Sequence, residues 1–199
     1  MNDLILTKAK TLFFSYGLKS VSMEDLARFS RISKKTIYQF YPDKNELVSK
    51  IVEDLISSHA ALFQASRKNA KNAVEEVVLQ SRATYNTWSP VSHSFFHEVE
   101  KSFPEAWEQL EQHKHIVLST GITTNLEKGI KDSLYRTELD ITFMADARIN
   151  QLISALRSTG FSRGKMSASQ LMNQLTSFYL HGITTAKGKK LLNKYFNNK

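Results

Sequence analysis

Lys34, Lys35, Thr36, Tyr38 and Gln39 follow one another in the chain, with Tyr41 and Lys44 close behind. Their ammonium, hydroxyl and amide groups can donate hydrogen bonds to phosphate oxygens and to the polar edges of bases. Reading a groove with them needs a short helix with those groups outside and an apolar anchor inside. Ile37 and Phe40 supply the anchor. Ser33 begins the stretch, and backbone N–H groups at a helix start favour an anion. A helical hairpin with a solvated basic face would show the same pattern, and the two readings stay open on these residues alone.

Other chemistry is thin. The 199 residues include no cysteine, which removes disulfides, thiolate metal sites and cysteine nucleophiles. His93 and His97 are spaced to share one helical face, but no third ligand is spaced near them, so no metal is expected. "HEVEK" lacks the second histidine of a zinc-protease motif. "GITTAKGKK" imitates a phosphate loop, yet Lys190 stands where a magnesium-holding hydroxyl belongs. With no nucleophile–base pair or paired carboxylate motif, an enzyme is not expected, and no cofactor is implied.

The elements that must position the basic stretch are helical. Ile5, Ala9, Leu12, Phe13 and Tyr16 repeat at helical spacing and stop at Gly17. Ser22, with Asp25 three residues on, opens a short second helix. Ser33 opens a third, over residues 33–40, and Pro42 ends it. Asp43 caps a long fourth helix running to about residue 67. Further amphipathic helices are expected near 70–88, 92–101, 104–131, 138–158 and 167–196. "RSTGFSRGKMSAS" is the strongest loop signal in the second half. The fold class is therefore all-α.

Net charge is +8, and it is uneven: both ends are basic, the middle is mildly acidic, and residues 151–199 contain no Asp or Glu. That asymmetry suits a polyanionic partner at one end at least. No apolar run is long enough for a bilayer, and the N-terminus is not a signal peptide. No membrane association is expected, and the location expected is cytoplasmic.

The order of residues in "VSMEDLARFSRISKKTIYQFYPDKNELV" resembles the N-terminal domain of the tetracycline-repressor-like (TetR) family of bacterial transcription regulators. The matching positions are Ser22, Leu26-Ala27, Ile32-Ser33, Thr36, Tyr38, Tyr41, Lys44 and Leu47, without a gap. "AKTLFFSYGLKS" is similar to that family's first helix, and the resemblance covers about residues 5 to 55. It implies a three-helix helix-turn-helix DNA-binding domain at residues 1–46 and a helical ligand-binding and dimerisation domain at 47–199. By the same resemblance Tyr38, Tyr41 and Lys44 hold phosphates, and Lys34, Lys35, Thr36 and Gln39 approach base edges or phosphates. Ser22 and Met23 touch the DNA backbone at the start of the second helix. Arg31 departs from the family pattern, because the turn there is usually glycine; Arg31 would offset the cost with a phosphate contact.

Beyond residue 55 the resemblance implies only a fold. The partners it implies are double-stranded DNA, a second copy of the chain and an unidentified small-molecule effector. Two apolar stripes fit a dimer interface: one through Ile141, Met144, Ala145, Ile149, Leu152, Ala155 and Leu156, the other through Leu171, Leu175, Phe178, Tyr179 and Gly182. Packing on the protomer's own core explains them equally well. Candidate walls of an effector pocket are Trp88, Phe95, Phe96, Phe103, Trp107, Phe143 and Tyr179. The expected function is a ligand-responsive repressor acting as a homodimer on a palindromic operator. An activator, or a helical interaction module without specific DNA binding, is the alternative.

Overall fold

The computed structural model describes residues 1–157 and 167–196. Much of the expected loop from Arg157 onward, and the side chain of His93, lie outside the described residues. Among those described, regular structure is helical and no strand forms; Tyr135 and Thr184 make an isolated antiparallel bridge. The helices are α1 (Asn2–Tyr16), α2 (Met23–Ser30), α3 (Lys34–Phe40), α4 (Lys44–Asn69), α5 (Ala73–Trp88), α6 (His93–Ser102), α7 (Pro104–His113), α8 (Thr120–Lys131), α9 (Ile141–Arg157), α10 (Ala168–Ile183) and α11 (Ala186–Phe196). A π-helical turn, Lys114–Ser119, carries α7 into α8.

The chain divides into two compact units, residues 1–57 with 90–112 and residues 58–89 with 113–199. In the first, α1 presents Ile5, Ala9 and Phe13 to a core shared with Leu26, Ile37, Leu47, Val48 and Ile51. Tyr16, placed on the same stripe by its spacing, points to solvent. Phe95 of α6 meets Phe14 edge-on, with ring centres 5.3 Å apart. Gly17 ends α1 at φ 83°, a backbone region that costs glycine little. Glu98 of α6 accepts hydrogen bonds from the N–H groups of Leu18 and Lys19, so a half-buried carboxylate holds the turn after α1.

In the second unit, α5 packs on α8, α10 and α11, and α9 packs on α8 and α10. Ala145, Ile149 and Leu152 of the first stripe, and Tyr179 of the second, are buried within this unit. The single helix expected over 167–196 is instead two. At Thr184 the backbone turns extended (φ −82°, ψ 144°), and the N–H of Thr185 donates to Leu134 O at 3.0 Å rather than continuing the helix. Arg136 N–H donates to Ile183 O at 2.9 Å from the same connecting segment. The phosphate-loop mimic "GITTAKGKK" straddles this break between two helices, a setting unlike the strand-to-helix turn such loops need.

Candidate nucleic-acid interface

The helix-turn-helix begins at a capping box. The Ser22 hydroxyl accepts from the N–H of Asp25, and the Asp25 carboxylate accepts from Ser22 N–H at 3.0 Å. The Ser22 hydroxyl also donates to the Asp25 carboxylate at 2.6 Å, and that bond first, then the one from Ser22 N–H, holds the Asp25 carboxyl below its ordinary value. A cap of this kind stabilises a helix by about 1 kcal/mol. The turn after α2 is left-handed at Arg31 (φ 57°, ψ 34°), with its N–H directed to Ala27 O and Arg28 O. Glycine would adopt that geometry without strain, so the departure from the family pattern leaves the turn intact and puts a strained, exposed cation at its corner.

Ser33 then caps α3, its hydroxyl accepting from Thr36 N–H at 3.1 Å. Ile37 is wholly buried and anchors the helix. Lys34, Lys35, Tyr38 and Gln39 are exposed, and Thr36 is half-buried against the Ser33 hydroxyl at 2.7 Å. Lys34 lies 3.8 Å from Glu24 of α2, an exposed pair that costs little to exchange for a phosphate. Phe40, expected inside with Ile37, is 41% exposed: a seven-residue helix has one inward line of side chains, and Phe40 sits beside it.

Three residues expected at DNA are placed otherwise. Met23 is buried as the first apolar residue of α2. Tyr41 is 3% exposed, its hydroxyl has no partner among the described residues, and burial raises its pKa. The Lys44 ammonium donates to the carbonyls of Leu18 and of Val21, the latter at 2.6 Å, and lies over the Phe13 ring. Burial lowers its pKa, with Glu98 and Asp25 opposing. Its geometry ties α4 to the turn between α1 and α2.

The expected pocket walls separate. Phe95, Phe96, Phe103 and Trp107 belong to the first unit, with Phe95 in its core. Phe143 is 67% exposed on α9. Trp88 and Tyr179 remain buried in the second unit. Tyr179 lines a small cavity with Phe63, Gln80, Ser81, Ile122 and Arg148, among others. The space open to a water's centre there is about 10 Å³, room for about one water molecule.

Sequence reasoning passed over several buried polar residues in this unit, Arg148, His59 and His113 among them. Arg148 is 3% exposed. His59 of α4 and His113 of α7 are also buried, with His59 Nδ1 2.7 Å from His113 Nε2 and His59 Nε2 3.0 Å from the Thr84 hydroxyl. The Thr84 hydroxyl donates to Gln80 O, so His59 Nε2–H donates to it and His59 Nδ1 accepts from His113. Burial lowers His59 to about 3, with His113 adding to the effect, and lowers His113 to about 4. The signal was available: His59 is four residues from both Leu55 and Phe63, and Arg148 lies three after Ala145 and four before Leu152. A polar residue within an apolar stripe marks a buried polar group.

Residues 5–51 match the family model of bacterial regulatory proteins, tetR family. Over 208 aligned residues the chain is 21% identical to the HTH-type transcriptional repressor KstR2 of Mycolicibacterium smegmatis, covering 94% of this chain and 93% of that protein. The structure of KstR2 of Mycobacterium tuberculosis superposes with a TM-score of 0.66 at 18% identity, over 92% of this chain and 95% of that one. A TetR-family regulator from Agrobacterium tumefaciens gives a TM-score of 0.77 at 21% identity, over 92% and 97%. Residues 5–51 thus match the tetR family model at a capped helix-turn-helix, and nearly the whole chain shares the fold of these solved regulators.

Proposed function

We propose that the protein is a homodimeric transcription repressor that releases a palindromic operator when a small molecule enters its C-terminal domain. Residues 1–46 form the DNA-binding part and residues 47–199 the ligand-binding and dimerisation part. The observation that carries the reading is α3: a capped helix anchored by buried Ile37 with Lys34, Lys35, Tyr38 and Gln39 exposed. Gln39 and Lys35 are suited to base edges, and Lys34, Tyr38 and Arg31 to phosphates. Ser22 sits at the start of α2, where a phosphate also meets backbone N–H groups. The repressor name of the Mycolicibacterium relative supports the direction of regulation.

A dimer would set two α3 helices about one DNA turn apart, roughly 34–36 Å. Exposed Phe143 on α9 and Phe178 on α10 suit burial against a second copy. Ligand would act by binding two arrangements of α4 unequally, because equal affinity shifts nothing.

A mobility-shift assay with DNA upstream of the protein's own gene tests this. Binding should be salt-dependent and should prefer that DNA over a scrambled duplex. Equal binding to both duplexes would mean a polyanion-binding helical protein without an operator.

A further inference from the structure

The cavity beneath α5 contains a buried cation with no anion. The Arg148 guanidinium donates to the Gln151 side chain at 2.6 Å, to the Ser81 hydroxyl at 2.7 Å and to the Thr176 hydroxyl at 3.1 Å. All three acceptors are neutral, and among the described residues no Asp or Glu forms an ion pair with Arg148. Glu76, a buried acid of the same unit, is paired with Lys128 at 3.4 Å. A guanidinium taken out of water without a counter-charge costs several kcal/mol, so neutral partners stabilise it only in part.

A second group in the same cavity is unsatisfied. Tyr179 is 6% exposed, its ring stacks under Arg148 with the guanidinium carbon 4.8 Å from the ring centre, and its hydroxyl has no partner among the described residues. A buried donor of this kind loses its hydration without replacement. The remaining lining is mixed: Phe63, Val77, Ile122 and Leu152 are apolar. One anionic group flanked by a short apolar body would satisfy the cation, the phenol and the apolar wall together.

We propose that the effector is a small organic carboxylate, its carboxylate held by the Arg148 guanidinium and the Tyr179 hydroxyl and its apolar body against Phe63, Ile122 and Leu152. This deepens the ligand-responsive reading given above and rests on it. The cavity has room for about one water, and Phe63 packs so tightly on Gly121 that a Cβ there would lie 2.5 Å from its ring, so a carboxylate of this size must displace Phe63 to enter. Phe63 is on α4, the helix that also carries Leu47 and Ile51 into the core of the first unit. Displacement of Phe63 therefore acts on the element that must move if DNA is to be released.

The test is calorimetric titration of the intact protein with butyrate and with its neutral isostere butyramide, followed by the same titrations on two variants. Butyrate should bind saturably and at least about tenfold more tightly than butyramide. Arg148→Met should abolish that preference, and Tyr179→Phe should weaken butyrate several-fold and butyramide less, because the phenol's bond to a charged oxygen is the stronger. Thermal melts verify folding; if Arg148→Met does not fold, Arg148→Lys and Tyr179→Phe carry the comparison. Absence of butyrate binding up to about 10 mM, equal affinity for the two compounds, or a preference that survives in Arg148→Met overturns the proposal. Operator release is measured separately. Butyrate that binds without releasing DNA leaves the carboxylate site standing and removes the ligand-response reading. Release by a neutral compound alone, with no butyrate binding, does the reverse.

Discussion

At the scale of single residues, Arg31 combines backbone strain with the phosphate contact proposed for it. Its left-handed backbone costs a non-glycine residue about 1–2 kcal/mol, part of which glycine's extra chain entropy would offset. Arg31→Gly should therefore raise the urea midpoint by up to about 1 kcal/mol in stability while lowering the salt dependence of DNA binding by about one phosphate. Unchanged salt dependence would remove Arg31 from the interface. The buried histidine pair gives a pH prediction. Both histidines have folded pKa values below the ordinary 6.5, at about 3 and about 4, so the unfolded chain binds more protons in acid. Stability is thus complete above about pH 6.5 and is lost as pH falls toward 4, by at most roughly 2 kcal/mol per histidine at pH 5. Melting curves at pH 7.5 and 5 should separate in that direction, and His113→Gln should shrink the gap; an equal gap would exclude the pair as its source.

At the scale of elements, the caps and stripes carried most of the prior information. Ser22, Asp25 and Ser33 act through neighbours three residues away, so α2 and α3 were legible from sequence. The break at Thr184 was not, because the competing acceptor is Leu134 O, supplied by a segment far away in the chain. The same limit explains Tyr41 and Lys44. The resemblance implied phosphate contacts, but the packing of α4 against the turn after α1 turns both inward. Two predictions follow from that packing. Lys44→Met should lower stability by about 2 kcal/mol, since two carbonyls lose a charged donor, and should leave the salt slope of DNA binding unaltered. Loss of a phosphate's worth of slope would restore Lys44 to the interface. Glu98→Ala should likewise destabilise the first unit by about 1–3 kcal/mol by orphaning the N–H groups of Leu18 and Lys19, and hydrogen exchange at those two amides should accelerate.

At the scale of the whole molecule, the proposal of a dimer on DNA rests on the basic N-terminal region and on the exposed aromatics of α9 and α10. The stripes on α9 and α10 were legible as apolar, but sequence could not divide inner from outer residues: Ala145, Ile149 and Tyr179 pack inside, while Phe143 and Phe178 remain outside. Phe178→Glu should shift sedimentation from dimer to monomer and weaken operator binding in step; a dimer of unchanged strength would place the interface elsewhere. The central claim is that α3 reads sequence. It is tested most directly by fluorescence-anisotropy titration of the operator and a scrambled duplex, at several salt concentrations, with the intact protein and a Lys35→Ala/Gln39→Ala variant. The account predicts that the variant keeps most of its affinity for scrambled DNA and loses about 1–3 kcal/mol of operator preference per base contact removed. Full operator preference in the variant would contradict it.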